Sequence, residues 1–190
     1  TRGSSGSSGP WSAAGRAQFL QLVVSADVVV EGFRPGVMTR LGLDADSLLA
    51  VNPRLVYCAL TGYGQDGPRA LAAGHDINYI GVTGVLDGIG ASDGPPAIPG
   101  AQAADLSGAY AAAVGILAAL LRRERAGVGG VVDTSMAEAV FALVSLPWAE
   151  WAATGAAAGR GAHLLSGGWA CYNVYRAGDG RHVALGCLEP

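Results

Sequence analysis

The sequence predicts an α/β fold built on a parallel sheet. Residues 26–31 and 55–60 are two short apolar runs, the first β-branched at its centre, with helical signals between them. Strand, crossover and strand at that spacing form a βαβ unit, because parallel strands need a dozen or more connecting residues. Each run also ends in a glycine-bearing loop, Gly32-Phe33-Arg34 after the first and Thr61-Gly62-Tyr63-Gly64 after the second. Ligands of open α/β sheets gather at such carboxyl ends. Neither loop matches a dinucleotide fingerprint or a P-loop.

The remaining elements follow in order. Residues 15–24 space Phe19, Leu20, Leu22 and Val23 as a helix face. Residues 35–41 read as a helix with Pro35 in its first turn, and 44–50 as a second, stopped by Asn52-Pro53. Residues 76–90 begin as a helix and break at Gly88 and Gly90. A Pro/Gly loop over 94–100 leads into a long helix from about Asp105 to Arg125, ended by residues 127–130. Residues 131–135 read as a strand, with Thr134 or Ser135 capping a helix that continues through Trp148 and Trp151. A glycine/alanine connector covers 155–168. Residues 169–175 and 182–187, around the turn Ala177-Gly178-Asp179-Gly180, read as a β-hairpin. The opening Gly3-Ser4-Ser5-Gly6-Ser7-Ser8-Gly9 reads as a tag-like linker over residues 1–9, outside the fold.

Composition narrows the function. Hydrophobic residues make up 51% of the 190 and charged residues 14%, which argues against disorder. All twelve basic residues are arginine, the net charge is -3 and no basic stripe occurs, so nucleic acid is not an expected partner. Arg122, Arg123 and Arg125 suit a helix C-terminus. Cys58, Cys171 and Cys187 are odd in number and widely spaced, which predicts neither a disulfide framework nor a metal site and favours a reducing, cytoplasmic setting. The longest apolar stretch, 106–121, falls short of the ~20 residues a membrane helix needs, so no membrane partner is expected.

The residues able to carry chemistry centre on Gly74-His75-Asp76-Ile77-Asn78-Tyr79 and on Asp105. His75 can serve as a base if it faces a pocket, although a histidine at a helix start is commonly structural. Asp105 suits a helix N-cap for local reasons alone, and a helix start also favours anions. Arg34 and Arg40 read either as solvated arginines or as phosphate forks. Glu189 reads as an exposed strand-end carboxylate, and Asp66 and Asp76 as turn and cap residues. His163 and His182 lack partners at ligand spacing, and Trp148 and Trp151 read as packing residues.

Taken together, several strings resemble the class III CoA-transferase (CaiB/BaiF) superfamily, and within it the α-methylacyl-CoA racemase branch. They run from Ala26-Asp27-Val28-Val29-Val30-Glu31-Gly32-Phe33-Arg34-Pro35-Gly36-Val37 through Asn52-Pro53-Arg54-Leu55, Thr61-Gly62-Tyr63-Gly64-Gln65 and the segment 74–79. Gly127-Val128-Gly129-Gly130-Val131-Val132-Asp133 and Gly186-Cys187-Leu188-Glu189-Pro190 complete them. The resemblance covers residue 13 to the end, in order and in spacing.

The resemblance implies a Rossmann-like large domain with the beginning of a smaller α+β domain, in subunits that interlock as a homodimer. It places the large domain at 10–150, lacking its first βα unit, a connector at 151–168 and the start of the small domain at 169–190. The chain is thus expected to be a central fragment. By the same resemblance His75 and Asp105 form an acid/base pair, with Glu189 a supporting carboxylate given across the subunit interface. Gly32, Phe33, Arg34, Arg40 and the segment Gly74, His75, Asp76, Ile77, Asn78 and Tyr79 would contact coenzyme A, which enters as part of an acyl-CoA substrate. No prosthetic group or metal is implied.

Inverting the carbon next to a thioester requires proton removal on one face and delivery on the other, so two groups of opposite protonation must flank it. The intermediate is an enolate, which amide donors near a helix start would stabilise. The expected activity is therefore epimerisation of 2-methylacyl-CoA by 1,1-proton transfer. Transferases of the superfamily use the aspartate at the place of Asp105 as a nucleophile that forms an anhydride and then an aspartyl-CoA thioester. They generally lack the Gly-His-Asp-x-x-Tyr segment. An inactive CoA-binding fragment is the third reading. One departure from the racemase pattern is Ala101, where an asparagine is usual.

Overall fold

The computed structural model describes residues 12–157 and 159–189; the expected linker at 1–9 and Pro190 lie outside them. The chain divides into two compact units, Thr1–Ala73 with Leu106–Met136, and Gly74–Asp105 with Ala137–Pro190.

The first unit holds a three-stranded parallel sheet in the order β1-β2-β3, formed by Val28–Glu31, Val56–Thr61 and Gly130–Ser135. Val28 pairs with Val56 and Val56 with Gly130, so β2 is flanked on both sides. That position explains its unbroken apolar sequence, since a central parallel strand is covered on both faces. Helix α1, Ala13–Val23, starts at Ser12, whose hydroxyl accepts the Gly15 amide at 3.1 Å. Helix α3, Ala45–Val51, starts at Asp44, which accepts the Ser47 amide and thereby holds its carboxyl below the usual range. Between them α2, Val37–Leu41, begins two residues later than Pro35, after Gly36 in a left-handed conformation. Val23, Met38, Leu43, Leu48, Leu55, Tyr57 and Ala59 form the core over this face of the sheet.

Helix α5, Ala103–Ala126, is longer than expected. By length and a hydropathy of 1.7 it is long and apolar enough to cross a membrane, and 17% of that window is buried within the chain. The sequence count stopped at 106–121 because the arginines near its end broke the apolar run without ending the helix. Two glycines bring α5 against the sheet. A Cβ on Gly108 would stand 2.8 Å from Met136 Cγ, and one on Gly115 2.7 Å from Val132 Cγ1. On another side Tyr110, Val114, Leu117 and Leu121 are exposed. At the far end Arg122 donates to the Gly129 carbonyl at 2.6 Å and Arg123 to Asp27 at 2.8 Å, so these arginines tie the helix to its neighbours beyond complementing its dipole.

Gly115→Ala is expected to destabilise the chain. The methyl improves helix propensity by about 1 kcal/mol, but overpacking against Val132 costs about 1–3 kcal/mol. Urea unfolding should show a lowered midpoint that Val132→Ala, added to Gly115→Ala, partly restores; a midpoint raised by Gly115→Ala alone would refute the close approach.

In the second unit α4 spans Asp76–Val82, followed by a 3₁₀ turn at Leu86–Gly88. The expected helix through Trp148 and Trp151 is instead α6, Met136–Phe141, a 3₁₀ turn, and α7, Ser145–Thr154. Pro147 is the physical reason: inside a continuous helix it would lack a donor and crowd the carbonyl of residue 143, whereas the first turn of α7 tolerates it. Thr134 and Ser135 are buried at the end of β3, and α6 begins at the next residue. The hairpin forms as expected from β4, Tyr172–Arg176, and β5, His182–Gly186.

Candidate active site

His75 precedes α4 and Asp105 is the third residue of α5, so the aspartate is not the cap of its helix. Asp76 takes that role from outside. Its Oδ1 accepts the amides of Ala104 at 2.6 Å and Asp105 at 3.1 Å. Amides at a helix start have no intrahelical partner, and a carboxylate there gains both hydrogen bonds and the favourable end of the dipole. One carboxylate therefore joins the residue beside His75 to the backbone of Asp105.

The rest of the 74–79 segment is held as firmly. The Asn78 side chain accepts the His75 amide at 3.0 Å, and Tyr79 Oη donates to the Gly74 carbonyl at 2.6 Å. Tyr79 is buried, Ile77 is exposed, and the His75 side chain lies at the surface. Asp105 is exposed as a residue, yet the protein around its carboxyl desolvates it. That burial pushes its pKa up, neighbouring Asp76 adds to the rise, and His75 pulls the other way. His75 thus acts on the charge state of Asp105. The Ala104 and Asp105 amides are already used by Asp76, so an enolate oxygen would need other donors than these two.

In the first unit, Gly32, Phe33 and Arg34 follow β1. The sequence did not mark Glu31, a buried carboxylate that orders this loop by accepting the Phe33 amide at 2.7 Å and the Tyr57 hydroxyl at 3.2 Å. Burial first, and Glu31 second, push the Tyr57 pKa well up, so this hydroxyl keeps its proton. The signal available in sequence was a charged residue closing an apolar strand. Arg34 lines a small cavity of about 150 Å³ with Glu31, Tyr57 and Gln65. Arg40, in the last turn of α2, lies over Gly36. Neither arginine makes an ion pair or hydrogen bond among the described residues. The loop after β2 is pinned by Asp133, which accepts the Gln65 amide at 3.1 Å.

Glu189 follows β5 as exposed chain. His163, read in sequence as lacking an acid partner, has its Nδ1 2.5 Å from Glu150 Oε2. It borders a mainly apolar cavity of about 440 Å³, with Val85, Ile89, Phe141, Leu143 and Trp148, beyond the C-terminal end of α4. Trp148 and Trp151 pair with ring centroids 6.1 Å apart.

The family model described as CoA-transferase family III matches residues 10–190. Human alpha-methylacyl-CoA racemase is 41% identical over 177 residues, covering 93% of this chain and 46% of that protein. The acetyl-CoA:oxalate CoA-transferase of Acetobacter aceti is 41% identical over 146 residues, covering 76% of this chain and 38% of that enzyme. A crystal structure of a CaiB/BaiF family protein from Brucella suis superposes with a TM-score of 0.80 at 34% identity, covering 88% of this chain and 44% of that one. The chain spans about half the length or less of these relatives, and their names divide between isomerisation and CoA transfer. On the match of nearly its whole length to the family model, the chain belongs to CoA-transferase family III.

Proposed function

We propose that the protein epimerises 2-methylacyl-CoA thioesters by two-base 1,1-proton transfer. The observation that carries this reading is the clamp of Asp76, which holds the residue after His75 against the helix start bearing Asp105. His75, unprotonated, takes the α-proton from one enantiomer, and Asp105, protonated, delivers one to the opposite face of the enolate. For the other enantiomer the roles exchange. A carboxyl raised by burial and by Asp76 is suited to being the acid.

Gly32, Phe33, Arg34, Arg40 and the 74–79 segment contact the CoA part, with the two arginines on its phosphates. The apolar cavity beyond α4 is the candidate wall for the acyl chain. Glu189 supports the acid/base pair from the partner subunit of an interlocked homodimer in the cytoplasm. The large domain is 10–150, with 151–168 the connector and 169–190 the start of the small domain.

A second reading has one observation in its favour. Asp105 is exposed at a helix start, as a nucleophile would be, and transferases are among the relatives. The two readings separate when a form spanning the length of the relatives is given one enantiomer of a 2-methylacyl-CoA in deuterated water. Epimerisation with α-deuteration is expected. Retention of the α-proton would sink the racemase reading, and a hydroxamate trapped at Asp105 with a CoA donor would establish the transferase. The third reading, an inactive CoA-binding fragment, is tested separately by CoA titration of this chain itself.

A further inference from the structure

Cys171 and Cys187 are sixteen positions apart in sequence and opposite each other in the hairpin. The register runs from Arg176 with His182 to Tyr172 with Gly186, and the next pair outward is Cys171 with Cys187. The Ala177 amide donates to the Arg181 carbonyl at 2.8 Å, and the Cys187 amide to the Cys171 carbonyl at 2.8 Å. In an antiparallel pair hydrogen-bonded and non-hydrogen-bonded positions alternate, and counting outward from 177 and 181 puts the cysteines at a hydrogen-bonded one. Opposed residues there have Cα atoms about 5.5 Å apart and side chains on one face of the sheet. That separation falls inside the roughly 4.4–6.8 Å span of disulfides. Both thiols are free, Cys187 is exposed and Cys171 half-buried, while Cys58 is buried in the core of the other unit.

We propose that Cys171 and Cys187 are a reversible redox pair that closes into a cross-strand disulfide and fixes the chain leading from β5 to Glu189. The Cys187 thiolate attacks a peroxide oxygen, giving a sulfenic acid and releasing hydroxide. The Cys171 thiolate then displaces hydroxide from that sulfur. In sum two thiols and one hydrogen peroxide give one disulfide and two waters, with two electrons passing to the peroxide. Cβ atoms of opposed residues lie about 4.5–5.5 Å apart, closer at the non-hydrogen-bonded positions, so closure at this one must draw the strands together towards the ~3.8 Å of a relaxed disulfide. A bond closed under that constraint is reduced more readily than a structural one, which suits a switch. The consequence for Glu189 rests on the role proposed for that carboxylate; the bond itself does not.

The test uses this chain, reduced and then treated with equimolar hydrogen peroxide. Two alkylatable thiols should disappear with a mass loss of about 2 Da. Arg176 and Arg181 lie between the cysteines, so a tryptic map should show two peptides joined until dithiothreitol is added. Amide hydrogen exchange at 187–189 should slow on oxidation and recover on reduction. Cys171→Ser should abolish the cross-link and leave a sulfenic adduct on Cys187. The proposal fails if both thiols still alkylate, if Cys187 alone gains oxygen in the unmutated chain, if the bond joins two chains, or if exchange at 187–189 is unchanged by the bond. None of these readouts needs turnover, so the fate of the racemase reading does not decide them.

Discussion

His75→Gln, made in a form spanning the length of the relatives, is expected to lower epimerisation of 2-methylacyl-CoA by about 10²–10⁴-fold, the usual contribution of a positioned acid/base group. The informative part is the asymmetry. In deuterated water the variant should still wash the α-proton out of the enantiomer that presents it to Asp105, and should leave the other enantiomer unlabelled. Asp105→Asn should show the opposite preference. Two bases on opposite faces require this, because each removes only the proton on its own side. Proton NMR of the two starting enantiomers reads both outcomes. Equal loss of exchange from both enantiomers in His75→Gln would show that the residue binds or supports, and is not one of two bases.

Asp76→Ala carries the second largest effect. It removes a charged acceptor from two helix-start amides, each such bond contributing about 1.5–3 kcal/mol. Thermal or urea unfolding should show a loss of that order. Activity should fall by about 10²-fold, because a misplacement near 1 Å is enough for that. Asp76→Asn separates position from charge. Its amide oxygen keeps an acceptor at the same place, so stability should largely return. The Asp105 pKa should then fall, since Asp76 is one of the two causes raising it. With less protonated Asp105 at a given pH, the limb of the rate profile that needs the acid form should move to lower pH. An unchanged limb in Asp76→Asn would remove Asp76 as an electrostatic influence while leaving its positioning role to the alanine variant.

Most of the first unit was legible because its elements obey local rules. The two apolar runs became β1 and β2, and the helix expected over 44–50 became α3. Errors arose where a tertiary partner decided the outcome. Asp105 read as a cap because aspartate favours that position, but a distant carboxylate had already taken the amides. Pro147 broke one expected helix into two through its effect on a preceding carbonyl, which apolar periodicity does not register. His75 and Asp105 were visible as residue types in a family pattern, whereas the clamp joining them was not. Asp76 was marked as a cap residue, and only the fold shows whose. The facing cysteines were likewise hidden, because their opposition depends on the register of β4 and β5.

Glu31 spends both carboxylate oxygens inside the protein, one on the Phe33 amide and one on Tyr57. A loop ordered in this way in advance has already met its conformational cost during folding. An anion arriving at Arg34 then need not immobilise the backbone beneath it, where ordering each mobile side chain on binding costs about 0.5–1.5 kcal/mol. On the binding role proposed for Arg34, affinity for the nucleotide end of a ligand would then depend on Glu31 as well as on the arginine.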